Sequence, residues 1–144
     1  MKYGVAVVDA TVIINFARLE LADKILRPFE AVYVTRAVVR ETKLRGRRRR
    51  RKDVVRFARR VLPCKQWDKS VLAALLVAFR RKDPQKSHRG EAETIAQAVR
   101  EKYDVVLTDD KEAAERATEY GLRVISTPEL LRIIAATGVV PATD

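Results

Sequence analysis

The sequence contains one cysteine, one histidine, five glycines and five prolines in 144 residues, and each scarcity removes a class of chemistry. Cys64 alone closes no internal disulfide, so packing rather than cross-linking must hold the fold. His88 alone excludes a histidine-rich metal site and argues against a histidine-based triad. A glycine-rich phosphate loop of P-loop or Rossmann type is also missing. Gly90 stands in Ser87-His88-Arg89-Gly90-Glu91, without the second glycine such a loop requires. The longest apolar runs, such as Val71 to Phe79, fall far short of the roughly 20 residues that cross a bilayer, and the N-terminus lacks the layout of a signal peptide. A soluble cytoplasmic protein without membrane contact is expected. Its chemistry must come from carboxylates or the backbone.

What is present is enough apolar material for one core, 47% of the residues, and a formal charge of +11. One domain spanning 1–144 is the expectation. The charge is strongly localised: residues 36–60 hold 13 Lys and Arg against Glu41 and Asp53, while the rest of the chain balances at 17 of each sign. The densest part is Arg45-Gly46-Arg47-Arg48-Arg49-Arg50-Arg51-Lys52, within a basic insert at about 45–85. Arg45, Arg47, Arg48, Arg49, Arg50, Arg51 and Lys52 form a candidate nucleic-acid contact, because the planar guanidinium fork grips phosphate oxygens in pairs. The competing reading is a solvated loop or a contact with an acidic protein.

Hydropathy patterning alternates strands with helices. Tyr3–Val8 reads as a strand buried on both faces, followed by a helix opening at Asp9 or Thr11 and a second helical stretch over Leu19–Leu26. Ala31–Val34 is a second strand, and Thr35 caps a helix over Arg36–Leu44. Two helices are expected at Asp53–Leu62 and Trp67–Arg81, separated by Pro63. A helix from Gly90 to Lys102, a strand at Asp104–Thr108, a helix at Lys111–Tyr120, a strand at Leu122–Ile125 and a last helix to Thr137 complete the pattern. Ser126 and Glu129 are placed to form a capping box for that last helix. This alternation predicts an α/β fold with a parallel sheet covered on both faces.

In such sheets ligands bind beyond the carboxyl ends of the strands, where the strand order reverses. Asp9 follows the first strand, and Asp109 with Asp110 follow Val105–Thr108. At about 100° per residue, Glu41 falls on the apolar side of its helix and Glu91 lies in line with Ile95 and Ala98. Glu93 points away with Arg100 and is expected to be a solvated surface residue. Carboxylates gathered at one edge repel each other unless cations neutralise them, and an all-oxygen set favours Mg²⁺ or Mn²⁺. Cleavage of a phosphodiester fits that combination. A phosphorylated receiver domain does not, because its acids occur in a different order.

Four blocks resemble a known family. Val7-Val8-Asp9-Ala10-Thr11 carries the first acid and Val34-Thr35-Arg36-Ala37-Val38-Val39-Arg40-Glu41 the second; His88-Arg89-Gly90-Glu91-Ala92-Glu93-Thr94-Ile95-Ala96-Gln97-Ala98 and Val106-Leu107-Thr108-Asp109-Asp110 follow, with Ala117 and Gly121-Leu122-Arg123-Val124-Ile125 behind them. Together they resemble the PIN-domain ribonucleases, including VapC-type toxins of toxin–antitoxin pairs and related archaeal PIN proteins. The resemblance implies a three-layer α/β/α fold with a central parallel sheet and a Mg²⁺- or Mn²⁺-dependent endoribonuclease acting on RNA. It also implies a homodimer and inhibition by a small antitoxin. Carried over by motif, Asp9, Glu41, Glu91 and Asp109 become catalytic and metal-site residues, Asp110 an additional or alternative ligand, and Thr11 and Thr108 their orienting partners. Glu91 departs from the aspartate many members carry, and the arginine run is unusual in length and charge.

Two other functions fit the same residues: a non-catalytic RNA-binding or assembly module, and a housekeeping RNA-processing nuclease. His88 and Arg89, which precede the acid-bearing helix, are read either as contacts to substrate phosphate or as ordinary surface positions, and neither is placed in the catalytic set. Trp67 is expected to pack rather than stack on a base and Cys64 to be structural or incidental, while Leu72, Leu75, Leu76 and Phe79 give one continuous helical face, read either as core or as a dimer or antitoxin surface.

Overall fold

The computed structural model describes residues 3–45, 62–63, 69–84 and 88–137. Five strands, β1 (Val5–Val8), β2 (Ala31–Val34), β3 (Leu62–Pro63), β4 (Val105–Leu107) and β5 (Arg123–Ile125), form one sheet of order β3-β2-β1-β4-β5. Every pairing is parallel. The helices are α1 (Ala10–Arg18), α2 (Arg36–Arg45), α3 (Lys69–Lys82), α4 (Arg89–Glu101), α5 (Lys111–Glu119) and α6 (Thr127–Ala136), with a short 3-10 helix at Ala22–Leu26.

Side chains alternate across the strands, and the two faces of the sheet accordingly bury two separate clusters. Ala6 and Val8 of β1, with Val105 and Leu107 of β4, pack with Val12, Ile13 and Phe16 of α1 and with Leu130 and Ile134 of α6. Val7 and Val106 point the other way, into Leu72, Leu75 and Phe79 of α3, Ala92, Ile95 and Ala96 of α4, and Ala113 and Ala117 of α5. Each large apolar side chain in these layers contributes about 1.5–3 kcal/mol of burial. The result is a three-layer α/β/α fold.

The apolar face of α3 forms as core: Leu72, Leu75 and Phe79 are buried and Leu76 is half-buried. Thr35 caps α2, its Oγ1 accepting from the Val38 N–H at 3.3 Å. The second helical stretch after α1 forms as the 3-10 helix at Ala22–Leu26. Two local expectations are corrected. Leu62 and Pro63 pair with Tyr33 and Val34 as a two-residue edge strand rather than closing a helix, a place where proline's missing N–H is tolerated. Ser126 makes no side-chain cap to α6. The expected helix at 53–62 lies outside the described residues except for Leu62, as do Cys64 and Trp67.

The order of strands reverses at β1, which has β2 on one side and β4 on the other. Val8 is in register with Leu107, so the residues following these two strands emerge side by side at the carboxyl edge.

Candidate active site

Asp9 follows β1 directly and is 2% exposed. Its N–H donates to the Leu107 carbonyl at 2.8 Å, which fastens the end of β1 to β4. The Thr108 hydroxyl donates to Asp9 Oδ2 at 2.9 Å and the Thr11 hydroxyl to the same oxygen at 3.3 Å. Both threonines thus stand where the sequence placed them as orienting partners. Burial pushes the Asp9 carboxyl up to about 6, against the downward pull of the Thr108 hydroxyl and the Ala10 amide. The negative charges of Glu41 and Asp110 push it further the same way.

Glu41 is half-buried on α2 and lies against the first turn of α4. A Cβ built on Gly90 would stand 2.9 Å from Glu41 Oε2. Glu91, one residue on, is buried at 8% exposure, and its Oε2 lies 3.6 Å from Nδ1 of His88. His88 is not at the surface as expected but 6% exposed. Its ring stacks on Phe79 with centroids 5.2 Å apart, and its Nε2 is 2.7 Å from the Asp83 carbonyl oxygen. With Nε2–H donated there, Nδ1 is left without a hydrogen-bond partner, facing Glu91.

The two adjacent aspartates after β4 do different work. Asp109 Oδ1 accepts from the Thr127 N–H at 2.6 Å, and Oδ2 accepts from Asn15 Nδ2 at 2.8 Å and from the Thr127 hydroxyl. Its own N–H donates to Thr11 Oγ1 at 3.0 Å. Asp109 therefore clasps α1 and the start of α6 to the end of β4. Asp110 caps α5, accepting from the Ala113 N–H at 2.9 Å, and its charge is the one that reaches Asp9. Glu41 and Asp110 thus each bear on Asp9, Glu91 stands one residue beyond the Glu41 contact, and Asp109 is turned toward α1 and α6.

Glu93, read from the sequence as solvated, is 4% exposed and paired with Arg89. The helical wheel assigned it to the face away from the sheet, but α2 and α3 pack on α4 as well, so that helix has little solvent face. Asn15 and Thr127 were missed. Asn15 follows Thr11 by four residues and so shares its helix face, a usable signal; nothing local marks Thr127. Arg45 closes α2, and Arg47, Arg48, Arg49, Arg50, Arg51 and Lys52 lie outside the described residues.

The sequence matches the model of the family DUF3368, described as a PIN domain, over residues 5–144. The chain belongs to the PIN-domain family. Among solved structures, the crystal structure of FitAcB from Neisseria gonorrhoeae shares the fold, with a TM-score of 0.52 at 16% identity over 83% of this chain and 96% of that one. No curated protein matches the sequence.

Among the described residues of this PIN domain, no three Asp, Glu, His or Cys side chains already close into a metal cage. The donor set nonetheless suits a hard divalent cation: it is all oxygen, and it is mutually repulsive at Asp9. Around it, Arg36, Arg89 and Lys111 are the exposed first residues of α2, α4 and α5, whose N-termini lie at this same edge. No helix among the described residues is long and apolar enough to cross a membrane.

Proposed function

We propose that this PIN domain is a divalent-metal-dependent endoribonuclease, with residues 1–144 acting as one domain in the cytoplasm. The observation carrying that reading is the buried Asp9 carboxylate at the switch point, raised by burial and faced by Glu41 and Asp110. Such a group is unfavourable to a fold unless a cation compensates it.

In this reading Asp9, Glu41 and Asp110 hold Mg²⁺ or Mn²⁺, with Glu91 as a further ligand. Asp109, the fourth acid implied by the family motif, acts by fixing the backbone that presents Asp110. The bound cation supplies Lewis acidity, lowering the pKa of an attacking water and offsetting charge on the leaving oxygen. The Thr108 and Thr11 hydroxyls keep Oδ2 of Asp9 in place, so the reacting geometry needs little reorganisation. The cationic rim of Arg36, Arg89 and Lys111 takes the strand's phosphates. A cation in the first turn of a helix opposes the helix dipole; Arg89 there is answered by Glu93, so Arg36 and Lys111 are the two whose placement speaks for an anionic ligand. The arginine run from Arg45 to Lys52 extends that grip along single-stranded RNA. A small antitoxin and a homodimer belong to the same reading, on the strength of the sequence resemblance.

The test is cleavage of a labelled mixed-sequence single-stranded RNA with Mn²⁺, with Mg²⁺ and with EDTA, wild type beside Asp9→Asn. Metal-dependent cleavage lost in the variant is the expected result. Salt-sensitive binding by both proteins without cleavage by either overturns the nuclease and leaves an RNA-binding module.

A further inference from the structure

We propose that Gly90 is a positioning residue of this site: by carrying no side chain, it leaves the berth in which the Glu41 carboxylate lies against the first turn of α4. The inference rests on the metal-site reading above and adds to it a residue with no ligand atom of its own.

The backbone does not call for glycine at 90. The described glycines with positive φ are Gly4 and Gly121; Gly90 is the second residue of α4 in ordinary helical conformation, open to any L-residue. Local propensity argues against glycine there, since it is a weaker helix former than alanine. The reason must lie in the space above it. An added Cβ would stand 3.6 Å from Val38 Cγ2, an ordinary contact, but 2.9 Å from Glu41 Oε2, closer than two such atoms can stand. The clash is with the far end of a flexible side chain, not with backbone. A methyl group at 90 therefore leaves the fold intact and moves the carboxylate. Since Glu41 is one of the two acids whose charge reaches Asp9, its displacement changes the spacing of the ligand set while every ligand remains present. Glutamate at 41 and glycine at 90 form a matched pair, one supplying reach and the other room.

The experiment is Mn²⁺ titration calorimetry on the full chain as wild type, Gly90→Ala, Glu41→Ala and the double variant, with a thermal melt of each. Gly90→Ala is expected to melt no lower than wild type yet to bind Mn²⁺ about tenfold more weakly, the range seen when a ligand's support is altered. In the Glu41→Ala background the same substitution is expected to change affinity less than about twofold, because the two act through one group. Unchanged affinity in Gly90→Ala overturns the proposal, as does an equal loss in both backgrounds. If wild type takes up no Mn²⁺, the metal reading itself fails, and a crystal structure of Gly90→Ala decides the rest. A Glu41 carboxylate displaced from residue 90 upholds the positioning role; one in its parental place ends it.

Discussion

Asp109 and Thr127 are joined twice: the backbone N–H and the hydroxyl of Thr127 both donate to the one carboxylate, across 18 residues of sequence. This pair, with Asn15 as third partner, gives Asp109 a fastening role and leaves Asp110 as the acid coupled to Asp9.

Asp109→Asn and Asp110→Asn are therefore expected to separate stability from metal binding. The first replaces a charged acceptor by an amide whose NH₂ opposes incoming donors, at about 2 kcal/mol and a melting point lowered by several degrees. The second keeps a competent helix N-cap, since asparagine caps as well as aspartate, and should cost less than about 0.5 kcal/mol. It should nevertheless abolish Mn²⁺ uptake and cleavage. Thermal melts and calorimetry on both variants check this; the reverse pattern would assign the metal to Asp109.

Asp9 makes the metal-free protein more stable in mild acid. Its carboxyl sits at about 6 in the folded chain against 3.8 in the reference state, so between those values the folded protein holds the proton more tightly. Stability due to this group thus falls as pH rises from about 4 to 6 and stays low above, by roughly 3 kcal/mol for the two-unit shift. Asp9→Asn should remove that slope and stabilise the protein at pH 7.5. Urea denaturation of both proteins in EDTA at pH 4.5 and 7.5 measures the difference, and parallel pH profiles would refute the assignment.

The sequence exposed the strands and helices whose burial pattern is self-contained. β1, β2 and β4 are short apolar runs, Asp9 follows β1 at once and Asp109 and Asp110 follow one residue after β4, so an acidic carboxyl edge was legible, whereas the strand order that makes β1 the switch point was not. β3 was not, because two residues carry no period and Pro63 reads as a breaker. The division of labour between Asp109 and Asp110 was also hidden. Both follow the same strand, and only the approach of α6, set by tertiary packing, decides which one is consumed. Glu93 failed for a related reason: a helical wheel knows one partner layer, whereas α4 has helices on its other sides; His88, just before that helix, is covered by Phe79 of α3, a contact set by tertiary packing.

Arg36→Gln, Arg89→Gln and Lys111→Gln, combined in an Asp9→Asn background that prevents turnover, should reduce the salt dependence of single-stranded RNA binding. Each lost phosphate contact lowers the slope of log K against log salt by about 0.7. Fluorescence anisotropy from 50 to 300 mM salt reads the slope directly. If it is unchanged, the rim does not touch the backbone; Gln at Arg47 to Arg51 should then account for all of it.

His88 and Phe79 should behave as a unit. Their stacked rings tie the end of α3 to the start of α4, and a double-mutant cycle with His88→Ala and Phe79→Ala should give a coupling of about 1 kcal/mol. Strict additivity in urea unfolding would mean the rings only happen to be parallel.

The two margins of the sheet bear on how the molecule meets its own kind. Among the described residues one border is β3, two residues long and ending in a proline with no N–H to offer; the other is β5, three residues opening on the exposed Arg123. Neither offers a flat template onto which a second strand could zip, the usual route to edge-to-edge aggregation. Among the described residues, the surfaces left for a second copy are those of helices, where side chains rather than a shared backbone ladder would choose the partner.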